Sequence, residues 1–247
     1  MKEESLRRAM KEKNDCVRIF PLMDKTRFIL ASNSPRRKQL FALGGWDFAV
    51  LAADVDETPF ENEPPREYVV RLAKAKSLAI QPRAESEAVI VGSDTTVADG
   101  DQILGKPVDE ADARRMLRQL RGRVHQVFTG IAILQNGRMF ADLCVTDVPM
   151  REYSDEEIER YIQSGDPMDK AGAYAIQHPD FQPVKYLEGC YASVMGLPIC
   201  HILRILNRLN IETIEDVPSS CQTLLKYECK VSPAILNGEA VTAIPKG

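Results

Sequence analysis

HQVFTGIAILQNGRMFADLCVTDV, residues 125–148, decides the fold class. Two long β-prone runs flank Asn136-Gly137, a pair that favours the tight turn of a hairpin, so these strands must be antiparallel. Upstream, AVIVGSD (88–94) reads as a buried strand ending in an acid, and Asp99-Gly100 suits a second tight turn before QIL. Asp109 caps a helix carrying Ala113, Met116, Leu117 and Leu120 that closes near Gly122. Downstream, Ser154-x-x-Glu157 is a capping box before Ile158, Tyr161 and Ile162, and Gly165 stops that helix. A loop and a strand are then expected before a last core helix at 197–209. Towards the N-terminus, FILASN (28–33) is a short strand and residues 48–55 a second one. After the first, Ser34 is an N-cap and Pro35 sits at the first helical position, where its missing N–H costs nothing. A further helix follows Pro64-Pro65, with Tyr68, Val69, Leu72, Ala75, Lys76 and Ala79 on one face. Strands and helices interleave while the hairpins demand antiparallel pairs, which predicts an α/β fold with a mixed sheet flanked by helices.

The chain has 247 residues, enough for one domain with appendages. Its 44% hydrophobic and 28% charged residues exclude a disordered or fibrous protein. No apolar run approaches the roughly 20 residues of a membrane span, and residues 1–15 lack the apolar core of a secretory signal. Six cysteines (16, 144, 190, 200, 221, 229) form no C-x-x-C pair, the pattern of reduced, cytoplasmic thiols; Cys221 and Cys229 would pair only if oxidised. The net charge of −4 argues against a partner of nucleic acid polymer type. Residues 1–27 carry eight Lys/Arg against five Asp/Glu, which leaves the remainder at −7. An acidic body that binds an anion needs a local cluster of cations.

Residues 32–37 offer one. A helix N-terminus presents free N–H groups and partial positive charge. Ser32 and Ser34 add hydroxyls, and Arg36 and Arg37 add guanidinium forks suited to phosphate oxygens. The alternative is a solvated basic turn. Lys76 lies on an inward helical face and needs a partner or a ligand, unless its long stem snorkels to the surface. Asp94 ends a hydrophobic strand, where open α/β sheets place their ligand crevice, and Glu57 follows another β-prone run. Two such carboxylates suit a hard cation such as Mg²⁺, or one metal ligand and a base for water; a capping or surface acid is the plainer fate of either. Lys106, in GDQILGKP, is consistent with a fixed cation. His125, His178 and His201 show no metal-ligand spacing, and Trp46 reads as a core or edge filler.

These signals occur in an order that resembles a known family. LASNSPRRKQL, VDET, RLAKAKS, VGSDTTV, LGKPVD, GRVHQVFTG, SGDPMDKAGAYAIQ and GLPICHILRIL resemble the successive motifs of the Maf family, of the Maf/Ham1 type of house-cleaning nucleotide pyrophosphatases. The resemblance covers residues 28–210, leaving a charged N-terminal extension (1–27) and a C-terminal extension (211–247) without readable motifs. It implies two lobes around a central cleft, commonly in a homodimer. It also implies hydrolysis of a nucleoside triphosphate to the monophosphate and pyrophosphate with a divalent metal cation, Mg²⁺ or else Mn²⁺ or Co²⁺. Asp94 matches the family's proton acceptor. Ser32, Arg36, Arg37, Glu57, Lys76, Lys106 and Gln177 match its other active-site positions, with Glu57 and Asp94 as the expected metal ligands.

Three positions bear on the base. A branch acting on 7-methyl-GTP carries Trp, Gln and Glu where this chain has Arg36, Thr95 and Gln177, and these three match the branch acting on dTTP and UTP. An amide at 177 both donates and accepts, which suits a pyrimidine edge. Ser93 and His178 stand where that branch carries alanine and glycine. The resemblance thus implies a dTTP/UTP pyrophosphatase, with modified pyrimidine nucleotides as further candidate substrates, the alternatives being a 7-methyl-GTP pyrophosphatase or a non-catalytic nucleotide-binding regulator of cell division.

Overall fold

A computed structural model describes residues 27–213 and 215–239; most of the charged N-terminal extension, Cys16 included, lies outside them. Six strands form one mixed sheet: β1 (Phe28–Leu30), β2 (Phe48–Val50), β3 (Val89–Asp99), β4 (Gln102–Leu104), β5 (Val124–Gln135) and β6 (Arg138–Pro149). The order is β2-β1-β3-β5-β6, with β4 also paired to β3. β1 runs parallel to β2 and β3, whereas β4, β5 and β6 form antiparallel pairs. The Asn136-Gly137 turn joins β5 to β6 in a twelve-residue ladder from Val124↔Pro149 to Gln135↔Arg138. The mixed sheet expected from the hairpins is present.

The helices are α1 (Pro35–Ala42), α2 (Pro65–Ile80), α3 (Glu110–Leu120), α4 (Asp155–Gln163), α5 (Tyr191–Val194), α6 (Ile199–Arg208), α7 (Val217–Leu225) and α8 (Ser232–Leu236). Their starts follow the local chemistry. The Ser34 hydroxyl accepts from Arg37 N at α1, the Asp109 carboxylate from Asp112 N at α3, and Ser154 and Glu157 cap α4 reciprocally.

β3 runs through both halves of the molecule. On one face, Val89 and Val91 join a cluster with Leu40 and Phe41 of α1 and Ile202 and Leu206 of α6. Farther along the same face, Val97 joins a separate cluster with Met116 and Leu117 of α3 and Ile158 and Ile162 of α4. Between them the inward positions are Ser93 and Thr95. The polar break in the period-2 pattern divides the core on this face into two. On the opposite face, α2 packs directly on the sheet at two glycines. A Cβ at Gly92 would stand 2.3 Å from Ala73 O, and one at Gly130 2.5 Å from Val69 O, so only glycine permits this approach.

Four expectations need correction. The acid at 94 does not end its strand: Thr95, Thr96 and Val97 are β-branched and β3 continues to Asp99. The second strand stops at Val50 instead of reaching 55. Between Gly165 and α5 there is no strand, only turns at Asp166–Asp169 and Ala171–Ala173 and one bridge, Met150↔Val184. The buried face of α2 is Val69, Leu72, Ala73, Lys76, Ser77 and Ile80, with Ala79 exposed.

Contrary to expectation, the helix at Ile199–Arg208 is not the last of the core, because the C-terminal extension contributes to it. Val217, Val231 and Ile235 are buried in the same cluster as Leu203 and Leu206 of α6, and burying each such side chain stabilises by about 1.5–3 kcal/mol. Beneath it, α6 faces β6 through a polar cluster. His201 Nδ1 lies 3.1 Å from Asp142 Oδ2, and Arg204 donates to the same carboxylate. Burial opposes charge on His201, but Asp142 and the neighbouring Cys144 raise its pKa to about 9. Burial likewise opposes the Asp142 carboxylate, while His201 and Arg204 hold it down to about 2. Trp46 stacks on Phe28 at 4.8 Å, as a core filler. No helix of the described residues is long and apolar enough to cross a membrane.

Candidate active site

One edge of β3 is uncovered along its middle. β1 pairs with residues 89–91 and β4 with residues 97–99, so no strand flanks Gly92 to Thr96 on that side. On the other side β5 pairs continuously with residues 90–98. A cleft of about 670 Å³ opens at this gap, a size that suits a small-molecule ligand. All ten residues singled out in the sequence line it: Ser32, Ser34, Arg36, Arg37, Glu57, Lys76, Asp94, Thr95, Lys106 and Gln177.

The turn from β1 into α1 forms one wall. Ser32 Oγ accepts from Ser34 N (3.2 Å) and Arg37 Nη1 (3.4 Å), and Ser34 Oγ accepts from Arg37 N (3.4 Å). Ser32 thus uses both lone pairs internally and Ser34 one, and each keeps an O–H to donate. The Arg37 guanidinium is held at two further points, Nε donating to Gly196 O (2.9 Å) and Nη2 to Thr95 Oγ1 (3.3 Å). Thr95 Oγ1 also lies 3.0 Å from Thr129 Oγ1. Burial lowers the pKa of Arg37, with Asp94 acting in the opposite sense. Gly196 was not anticipated. Its φ of +107° and the 3.1 Å between an added Cβ and Arg37 Nε explain why glycine stands there.

Lys76 and Asp94 occupy the floor. Lys76 Nζ lies 2.6 Å from Asp94 Oδ1 and 2.6 Å from Glu57 Oε1. Lys76 and Asp94 are buried, whereas the Glu57 side chain is 50% exposed. The inward lysine thus bridges two carboxylates and does not snorkel. Burial pushes the Asp94 carboxyl above its ordinary pKa against the pull of Lys76 and Arg37. At Glu57 burial acts the same way, but Lys76, Lys106 and Arg37 outweigh it and lower the pKa. A buried carboxylate of raised proton affinity beside fixed cations can take a proton from water.

Lys106 and Gln177 are exposed on the opposite rim. Gly172 N donates to Gly105 O (3.0 Å), joining the Lys106 loop to the segment that leads to Gln177. Lys170, in the quoted DKAGAY motif but given no role there, also lines the cleft and is neutralised by Asp166 and Asp169. Tyr68 lines it too, donating to Glu57 O at 2.9 Å.

The donors fit a divalent cation. Among the described residues no group of three or more His, Cys, Asp or Glu could hold a metal. Asp94 and Glu57 supply carboxylate oxygens gathered on one ammonium. A hard divalent cation held by one or two carboxylates would complete its shell with water and substrate phosphates.

Comparison with known proteins identifies the family. Residues 27–209 match the family model of Maf-like proteins. The chain is 45% identical over 189 residues to a dTTP/UTP pyrophosphatase of Geobacter sulfurreducens, covering 76% of this chain and 98% of that one. It is 42% identical over 186 residues to a dTTP/UTP pyrophosphatase of Vibrio cholerae, covering 75% and 100%. Among solved structures, a Ham1 protein of Staphylococcus aureus aligns with a TM-score of 0.33 and 17% identity, over 51% of this chain and 72% of that one. A family match over most of the chain, with relatives matched along nearly their whole length, places this protein in the Maf family.

Proposed function

We propose that this protein is a nucleoside triphosphate pyrophosphatase that converts dTTP and UTP to the monophosphate and pyrophosphate in the cleft at the open edge of β3. The observation that carries the reading is the buried Lys76–Asp94 pair beneath the cations of Arg36, Arg37 and Lys106. Asp94 accepts a proton as water attacks the α-phosphorus, and the α–β phosphoanhydride bond breaks as pyrophosphate leaves. The Ser32 and Ser34 hydroxyls and the α1 N-terminus bind phosphate oxygens. Arg37, held at Ser32, Thr95 and Gly196, presents a positive charge that needs no reorganisation during reaction. Lys76 holds the Asp94 carboxylate in place, and Lys106 and Arg36 neutralise the departing pyrophosphate. Asp94 and Glu57 would hold Mg²⁺, which when bound supplies charge neutralisation at the phosphate oxygens. Arg36, Thr95 and Gln177 favour a pyrimidine, and the names of the relatives support the same choice.

The decisive experiment is a panel of unmodified and modified nucleoside triphosphates with Mg²⁺, assayed for monophosphate and pyrophosphate. Turnover of dTTP and UTP above all others is the expected result. Preference for 7-methyl-GTP would replace the base assignment, and binding without product would replace the enzymatic reading with a regulatory one.

A further inference from the structure

Arg71 belongs to the RLAKAKS motif, yet it does not line the cleft and the proposed reaction makes no use of it. Glu57 lies in a connection, residues 51–64, that contains no helix or strand. Such a segment lacks a backbone ladder to hold a side chain in place. Two residues one turn apart on α2 supply the hold. Tyr68 OH donates to Glu57 O at 2.9 Å, and Arg71 Nη2 donates to Thr58 O at 3.1 Å. The Arg71 fork also grips the far end of the connection, with Nε and Nη2 each 2.6 Å from a carboxylate oxygen of Glu63. Its guanidinium lies 4.0 Å from the centre of the Phe60 ring. The Glu63 side chain is 6% exposed and that of Arg71 25%, so the pair is partly covered, and its two parallel bonds define the fork geometry. Lys76 lies farther along the same helix. One rigid element therefore sets both Lys76 and the backbone at Glu57.

We infer that Tyr68 and Arg71 are positioning residues that hold Glu57 at the site, so that the cation affinity of the cleft depends on the Arg71–Glu63 clasp. The inference rests on the reading of Glu57 as a metal ligand. Outer partners of metal ligands characteristically change affinity by about 10–100-fold when removed.

The test is Mn²⁺ binding, followed by electron paramagnetic resonance, to the full chain saturated with the α,β-imido analogue of dTTP. Arg71→Ala is expected to weaken Mn²⁺ about tenfold. Arg71→Lys, which keeps the charge but loses the fork, should fall between it and the parent. Tyr68→Phe removes one hydroxyl and should weaken Mn²⁺ by a smaller factor in a protein of unchanged melting temperature, which covers the case in which Arg71→Ala fails to fold. A double-mutant cycle separates positioning from general support: in a Glu57→Gln background the effect of Tyr68→Phe should vanish. Unchanged Mn²⁺ affinity in both Tyr68→Phe and Arg71→Ala overturns the inference, as does an effect that persists undiminished without Glu57. If Glu57→Gln itself leaves Mn²⁺ affinity intact, the ligand assignment fails first and this inference with it, a result distinct from failure of the clasp alone.

Discussion

The Lys76 ammonium lies 2.6 Å from the Asp94 carboxylate, with the two side chains only 9% and 8% exposed. A buried charge pair is retained at a cost in desolvation that a pair of apolar side chains would not carry. Its position at the open edge of β3 gives that cost a functional use.

Asp94→Asn should lower kcat by at least about a hundredfold, the scale of a lost general base, while circular dichroism shows an intact fold. A variant with near-normal pyrophosphate release would remove Asp94 as the base. The pH dependence has a definite sign. In the protein without bound metal, burial raises the Asp94 pKa, so its carboxyl, followed by NMR with no divalent cation present, should titrate above the ordinary aspartate value of about 3.9. Titration at the ordinary value would contradict the buried geometry.

Arg37 is held at Ser32, Thr95 and Gly196, and a lysine ammonium cannot span all three acceptors. Arg37→Lys is expected to reduce kcat/KM by roughly tenfold to a hundredfold. Gly196→Ala should act through the same group, since its Cβ would meet Arg37 Nε at 3.1 Å and Thr95 Oγ1 at 3.3 Å in a left-handed backbone. Steady-state kinetics on dTTP would decide both, and unimpaired catalysis in Gly196→Ala would show that Arg37 need not be held in place.

The Asp142–His201 pair predicts a stability window. His201 has a folded pKa raised to about 9, so its contribution is complete below the unfolded value of about 6.5 and is lost as pH rises through 9. Asp142 is depressed to about 2, so its contribution is present above the unfolded value of about 3.9 and is lost as pH falls towards 2. Denaturant titrations should show stability declining between pH 6.5 and 9 by up to about 3 kcal/mol from His201. His201→Gln should flatten that alkaline slope; an unchanged slope would assign it to other groups.

Ile235 of α8 is fully buried although it lies beyond the residues that match the family model. Ile235→Ala should destabilise the protein by about 2–5 kcal/mol, measured by urea unfolding. A loss below about 0.5 kcal/mol, the range of surface substitutions, would mean that the extension does not share the core.

Much of the fold was legible because its signals are local. Ser34-Pro35, Asp109, Ser154 with Glu157 and Asn136-Gly137 act on backbone groups within three residues, and each lies at the helix start or turn it announces. Strand ends were less legible. Thr95-Thr96-Val97 remain β-prone after the acid, so nothing local ends β3 at 94. The C-terminal helices share the core but carried no readable motif, because their buried residues are few and irregularly spaced.

The sequence by itself determined the mixed α/β class, the charged residue types and the inward placement of Lys76, though not the rest of its helical face. Its motifs also named ten of the residues that line one cleft. Only the tertiary structure decided how those residues meet. Lys76 reaches Asp94 because α2 settles onto the bare backbone at Gly92 and Gly130, and Arg37 is fixed by a carbonyl 159 residues away. The cleft exists because β1 leaves β3 after Val91 and β4 joins only at Val97. Capping and turn preferences act over a few residues of chain. Close approach and strand neighbours depend on surfaces that meet only once the core has packed.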